Sequence, residues 1–336
     1  MRIDIHTHFV ARFYADQARR GQAAGGTTVE TIDGQEWLVH AEGFRYPLHR
    51  EYWDVESKLA DMDRLSIDVS VLSPTPSLFH YGLAPGPALE HCQGTNEALA
   101  EAVAQSGGRL YGMATLPMQA PEAAARELER AVRELGLVGA HVGTTAGRIP
   151  LDDVKFEPVL ATAEKLGVAL MLHPVLLDAR REQFAPFYMN NLVGYMVETC
   201  VAASRLILTG CLDRYPHLAV VLVHGGGYLP YQVGRLDHGF EVRAETRANI
   251  SAPPSGYLRR FHFDTITHAA LPLRLLLEMV GYDRVMLGTD LPFDMSDKKF
   301  AEHIAALPVD EHARNAIYGE NAARLFGLQA APREVE

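Results

Sequence analysis

Eight short apolar, β-rich runs recur along this chain with helical patterns between them, and no other feature limits its fold as strongly. They fall at residues 2–7, 68–73, 109–116, 137–143, 167–173, 218–224, 260–265 and 284–290. Strands that alternate with helices imply a parallel sheet, because a parallel pair needs a crossover between its members. An open doubly wound sheet would use the same alternation, but eight consecutive units favour closure into a (β/α)8 TIM barrel. The intervening segments carry the matching period. In 121–136, Pro121 suits a first helical turn, Ala124, Leu128, Ala131 and Leu135 share one face, and Gly136 is a stop. Residues 55–67 behave alike through Leu59, Met62 and Leu65.

One segment breaks this rhythm. Residues 10–54 separate strand 1 from its helix, and 27–32 and 36–40 read as β-runs joined through Asp33-Gly34-Gln35, a hairpin signal. A small β insertion that acts as a lid over the barrel mouth is expected here. The whole chain, 1–336, is thus expected to be a single metal-dependent barrel domain carrying that insertion, with a frayed tail from Gln329. With 22% charged residues and a net charge of −11, a nucleic-acid partner is excluded for want of a basic surface. Cys92, Cys200 and Cys211 have no paired spacing and read as free thiols of a reducing compartment. The N-terminal residues do not form a charged-then-apolar leader, and no apolar run reaches the ~18 residues of a membrane span. A cytoplasmic location without membrane attachment is expected.

Active-site groups of such barrels stand at the carboxyl ends of the strands. Strand 1 carries His6 and His8, two residues apart and so on one face. Strand 5 ends in His173, strand 6 in His224 followed by three glycines, and strand 8 in Asp290. Any one of these suits a loop hydrogen bond or a cap. Their conjunction at strand ends points instead to a metal site, for which three imidazoles and one carboxylate suit Zn²⁺ first, with Mn²⁺ as the alternative. His80 and His268 also follow strands and are candidate pocket residues. His40, His49, His91, His141, His217, His238, His262, His303 and His312 read as scattered core or loop residues. The HGGG run also occurs in esterase oxyanion holes, but the G-x-S-x-G elbow that fold needs is absent.

Taken together, HxH on strand 1, His on strand 5, HGGG on strand 6 and Asp on strand 8 resemble the amidohydrolase superfamily. The resemblance is closest to its decarboxylase branch, typified by 2-amino-3-carboxymuconate-6-semialdehyde decarboxylase. It covers nearly the whole chain and is most specific over 3–9, 198–210 with Asp213-Arg214-Tyr215-Pro216, 224–237 and 283–293. The resemblance implies that His6, His8, His173 and Asp290 bind one divalent ion and that His224, with Asp290, moves protons. It implies that Arg235 reaches a neighbouring subunit's pocket, hence a homodimer or higher homo-oligomer, and that Arg45 on the insertion binds a substrate carboxylate, with Arg50 as its rival. No lysine ends strand 4, which argues for one metal rather than two. The implied reaction is non-oxidative decarboxylation of an aromatic or muconate-type acid; a metal-dependent hydrolase or hydratase of a small carboxylate-bearing substrate is the alternative. Asn190-Asn191 depart from the family pattern and imply a more polar or differently shaped pocket.

Overall fold

The computed structural model describes residues 1–175 and 184–328; the expected tail from Gln329 lies outside them. Eight parallel strands form the centre: β1 (Ile3–Phe9), β2 (Val69–Pro74), β3 (Leu110–Gly112), β4 (Gly139–Gly143), β5 (Ala169–His173), β6 (Val220–Leu222), β7 (Phe261–Asp264) and β8 (Val285–Met286). Each falls inside or within two residues of an expected run. Continuous pairing joins β1 to β3 in one group and β4 to β8 in another. Single bridges close the two seams. At one seam Ala114 N–H donates to Gly139 O (2.9 Å) and His141 N–H to Ala114 O (2.8 Å). At the other, Ile5 N–H donates to Leu287 O (2.9 Å), Asp290 N–H to His6 O (2.8 Å) and His8 N–H to Leu291 O (2.7 Å). The expected (β/α)8 barrel is therefore closed.

Helices follow the strands: α1 (Val55–Arg64), α2 (Pro85–Ala104), α3 (Pro121–Arg133), α4 (Glu157–Leu166), α5 (Tyr195–Leu208), α6 (Leu229–Val242) and α7 (Ala270–Val280), with three shorter ones after β8. In α3 the expected stripe of Ala124, Leu128 and Ala131 is fully buried against the barrel. Burying a leucine this way contributes about 1.5–3 kcal/mol, which is why the stripe and not local propensity fixes the face. The stretch Pro186–Leu208 is long and apolar enough to cross a membrane by composition. Its later turns instead bury Ala202, Ala203, Leu206 and Ile207 on the barrel, as an α/β unit requires.

Inside the barrel Ile3, Val69, Met113, Met171, Val221 and Met286 form a packed plug. Strand β1 contains one extra residue against β2: pairing runs Ile3↔Val69 and Asp4↔Ser70, then resumes at Thr7↔Leu72 and His8↔Ser73. Paired residues of a parallel sheet share a face, so this bulge turns His8 to the same inner face as Ile3, although simple alternation would oppose them. The lower half of β1 thus feeds the plug, and its upper half delivers imidazoles above it.

Residues 10–54 hold a helix (Arg12–Arg19) and a three-stranded antiparallel sheet of Thr28–Ile32, Gln35–Val39 and Arg45–Pro47. Asp33 and Gly34 both have positive φ (51° and 80°) between the paired residues Ile32 and Gln35, as a two-residue primed turn demands. The third strand was not expected. The insertion packs at the carboxyl ends of the strands, where Tyr46 bonds the Thr75 hydroxyl (3.1 Å) and meets Phe293 at 5.0 Å between ring centres.

Candidate metal centre

Four side chains from β1, β5 and the loop after β8 converge above the plug. Ligating atoms of His6, His8, His173 and Asp290 all lie within 4.8 Å of one another, and all four residues are buried. The Nε2 atoms of His6 and His8 are 3.2 Å apart, and Asp290 Oδ1 is 2.8 Å from His8 Nε2 and 3.6 Å from His6 Nε2. Bonds behind the rings set two tautomers. His6 Nδ1 faces the Asp264 carboxylate at 2.8 Å, and His173 Nδ1 faces Pro174 O at 2.8 Å. These oxygens accept, so both Nδ1 atoms carry the hydrogen and both Nε2 atoms present lone pairs to the shared space. Three imidazoles and one carboxylate held this way fit a single divalent cation.

His224 stands beside this group. Its ring centre is 5.1 Å from that of His173 and 5.3 Å from that of His6, and its Nε2 is 4.0 Å from Asp290 Oδ2. Tyr195, at the start of α5, lies parallel to it at 6.3 Å. The residue has φ 55°, an uncommon conformation for a side-chain-bearing residue, and Asp264 holds it there by accepting the N–H groups of His224 (2.9 Å) and Gly225 (2.8 Å). One carboxylate thus fixes both a ring tautomer on β1 and the loop after β6. The glycines after His224 serve packing more than pocket access. A Cβ on Gly226 would strike the Phe263 ring, and one on Gly227 would meet Met196 O at 2.4 Å.

Burial raises the Asp290 carboxyl, but the His8 hydrogen bond and the nearby imidazoles outweigh it and hold the group at about 2. Burial pushes His224 down to about 4, only partly opposed by Asp290, and sends His173 well below its ordinary value. His6 goes the other way: burial lowers it, yet the bond to Asp264 and the charges of Asp290 and Asp4 raise it overall. The cluster therefore keeps an anionic carboxylate and neutral His173 and His224 at neutral pH.

Other expected site residues are placed elsewhere. Arg45 is exposed, with its guanidinium over the Trp37 ring at 5.6 Å, while its neighbour Tyr46 points inward. Arg50 pairs with Asp54 at 3.0 Å over Trp53 and is largely exposed. Arg235 is exposed on α6, on a surface that also carries Tyr231 and Tyr228. His80 bonds the Tyr14 hydroxyl (2.8 Å) beside His91, away from the cluster, and His268 is exposed. Asn190 begins a π-helical turn ahead of α5 and buries an Oδ1 that has no partner among the described residues. Two further residues belong to the site. Asp264 ends β7, where the strand-end rule would have found it. His141, taken for a scattered histidine, is fully buried on β4 with its ring 5.4 Å from that of His173.

Comparison with known proteins gives the family. The family model described as Amidohydrolase matches residues 3–328. The chain is 30% identical over 331 residues to 2-amino-3-carboxymuconate-6-semialdehyde decarboxylase of Dictyostelium discoideum, covering 98% of this chain and 92% of that one. It is 33% identical to γ-resorcylate decarboxylase of Rhodococcus jostii, covering 82% and 91%. Among solved structures it resembles dihydroxybenzoic acid decarboxylase of Polaromonas sp. JS666, solved with manganese and 2-nitroresorcinol, with a TM-score of 0.81, 29% identity and 98% of both chains covered. The strand-end histidines, the closed barrel and these full-length matches lead to one conclusion: the chain belongs to the amidohydrolase family, in the branch that holds the carboxymuconate-semialdehyde and aromatic-acid decarboxylases.

Proposed function

We propose that this chain is a metal-dependent, non-oxidative carboxy-lyase acting on an aromatic or muconate-type carboxylic acid. The reading rests on full-length similarity to decarboxylases at 30–33% identity, around a buried cluster whose donors fit one divalent ion. His6, His8, His173 and Asp290 would hold it; three imidazoles suit zinc, and the manganese of the Polaromonas structure makes Mn²⁺ the second occupant to test. When bound, such an ion supplies Lewis-acid polarisation of substrate oxygens. The protein's own groups do the rest. Phe293, 5.0 Å from His8 by ring centres, and the aromatic face of the insertion wall the site from water. A proton taken from solvent passes through His224 Nε2 to the carbon that loses carbon dioxide, and the Asp290 carboxylate, 4.0 Å from that nitrogen, favours its protonated form. The insertion is proposed as the lid of this site, and the protein as a cytoplasmic enzyme.

The test is carbon dioxide release by metal-loaded protein from 2,6-dihydroxybenzoate, 5-carboxyvanillate and 2-amino-3-carboxymuconate semialdehyde. Release matched mole for mole by loss of at least one acid supports the reading. Hydrolysis of ester or amide analogues with no carbon dioxide from any of the three sinks it.

Two arginines belong to the same proposal. Arg45 would leave Trp37 to grip a substrate carboxylate, and Arg45→Ala is then expected to raise KM about tenfold or more with bound metal unchanged. Unchanged KM, or lost metal, would remove that role. Arg235 would complete the pocket of an adjacent subunit in a homodimer or larger assembly; specific activity that survives dilution to monomer rules it out.

The raised His6 value has a further consequence. A second proton on His6 uses the Nε2 lone pair that a cation needs. Affinity for Zn²⁺ or Mn²⁺ is expected to fall as pH drops through a value above 6.5, the ordinary imidazole value, rather than below it. Equilibrium dialysis between about pH 8 and 5 reads this directly; affinity constant down to pH 6 would contradict it.

A further inference from the structure

His141 is the fifth imidazole at this site, and neither the cluster nor the proton relay uses it. It lies on β4 opposite Met171 of β5, while Gly143 lies opposite His173. Since residues two apart share a face, His141, Gly143, Met171 and His173 all point into the barrel. His141 therefore sits one layer below His173, on the floor of the site. Gly143 carries no side chain above it, and a Cβ there would strike Tyr81, Val175 and the Thr145 carbonyl oxygen. The ring stands perpendicular to His173 at 5.4 Å, is 5.8 Å from His8, and rests against Phe79 at 5.1 Å.

Its two nitrogens have unequal surroundings. Nδ1 faces the carbonyl oxygen of Pro74 at 3.1 Å, and a carbonyl oxygen can only accept. Nδ1 therefore carries the hydrogen, and Nε2 of the neutral ring is a lone pair. That Nε2 is fully buried and has no hydrogen-bond partner among the described residues. It is not among the four grouped ligating atoms either. A buried acceptor left unpaired is costly, and pairing it requires a donor that enters the site.

We propose that His141 is a substrate-recognition residue: its Nε2 accepts a hydrogen bond from an O–H or N–H group of the acid, so the site selects hydroxy- or amino-bearing unsaturated carboxylic acids over unsubstituted ones. This deepens the carboxy-lyase reading and rests on it. The selection is strong in principle, because a site built around such a bond leaves its own buried acceptor unpaired when the donor is missing.

The experiment is a calorimetric titration of metal-loaded protein with 2-hydroxybenzoate, 2-aminobenzoate and benzoate, with metal content measured before and after. Wild type, His141→Phe and His141→Gln are compared. Wild type is expected to bind the hydroxy or amino acid about tenfold or more tightly than benzoate. His141→Phe keeps the ring volume without the acceptor and should bring the acids within about twofold of each other at unchanged metal stoichiometry. His141→Gln, which restores an acceptor, should recover most of the preference. If the phenylalanine ring disturbs folding, His141→Met offers the same contrast. Full preference in His141→Phe would overturn the proposal, because the discrimination would then arise elsewhere. Metal lost from that variant would overturn it too, making His141 a ligand. Wild-type protein that binds none of the three acids would defeat this inference and the proposed function together, and that arm involves no variant.

Discussion

Replacing His224 with alanine is expected to cut turnover by about 10²–10⁴-fold while bound metal stays at wild-type stoichiometry. The size of the effect follows from where the ring stands. Its Nε2 is 4.0 Å from Asp290, it shares the space of His6 and His173, and it lies outside the four ligating residues. Burial pushes its imidazolium down to about 4, so a proton arriving on Nε2 is held weakly and passes readily to carbon. The loop should survive the substitution, because Asp264 grips the backbone N–H groups of residues 224 and 225 and not the ring. Metal analysis and single-turnover kinetics on the same preparation check both halves. A variant that keeps a tenth of wild-type turnover would assign proton delivery to another group. A variant that loses its metal would make His224 a ligand.

The barrel and the outline of this site were legible in the sequence for a physical reason. Strands buried on both faces read as continuous apolar runs, so β5 and β6 stood out, and the carboxyl-end rule then picked out His173, His224 and Asp290 without any knowledge of contacts. What was not legible depended on register or on direction within a strand. The extra residue in β1 decides that Ile3 and His8 face the same way, and nothing in the local run announces it. The strand Arg45–Pro47 was not expected, so its alternation could not be used; that alternation turns Tyr46 inward and Arg45 out over Trp37. His141 was grouped with scattered histidines although it lies within the run 137–143. Its parity with Gly143, opposite His173, is what carries it to the site floor. Asp264 ends an expected strand, but an aspartate there reads equally as a turn or helix cap, and only its contacts with His6 and the loop of His224 give it a role.

Stripping the ion with a chelator is expected to abolish turnover, and adding back Zn²⁺ or Mn²⁺ to restore it, whereas His8→Ala should defeat restoration at any practical concentration. The distances explain the severity. His8 Nε2 lies 3.2 Å from His6 Nε2 and 2.8 Å from Asp290 Oδ1, so its loss removes one ligand and frees another from its orientation. Losing an outer partner alone typically costs about 10–100-fold in metal affinity, and losing this ligand should cost more. Asp264→Asn gives the outer-partner case for comparison, since it removes the charge behind His6 while leaving all four ligands in place. A second readout does not depend on knowing the substrate. An ion that binds only the folded chain adds about 2.7 kcal/mol at a hundredfold excess over its Kd, so the wild-type Tm should rise with added metal. Asp264→Asn should need more metal for the same rise, and His8→Ala should show none. If the wild-type Tm is indifferent to both ions, and the chelated protein turns over as before, the convergence of His6, His8, His173 and Asp290 is a packing arrangement of four polar side chains and not a metal site.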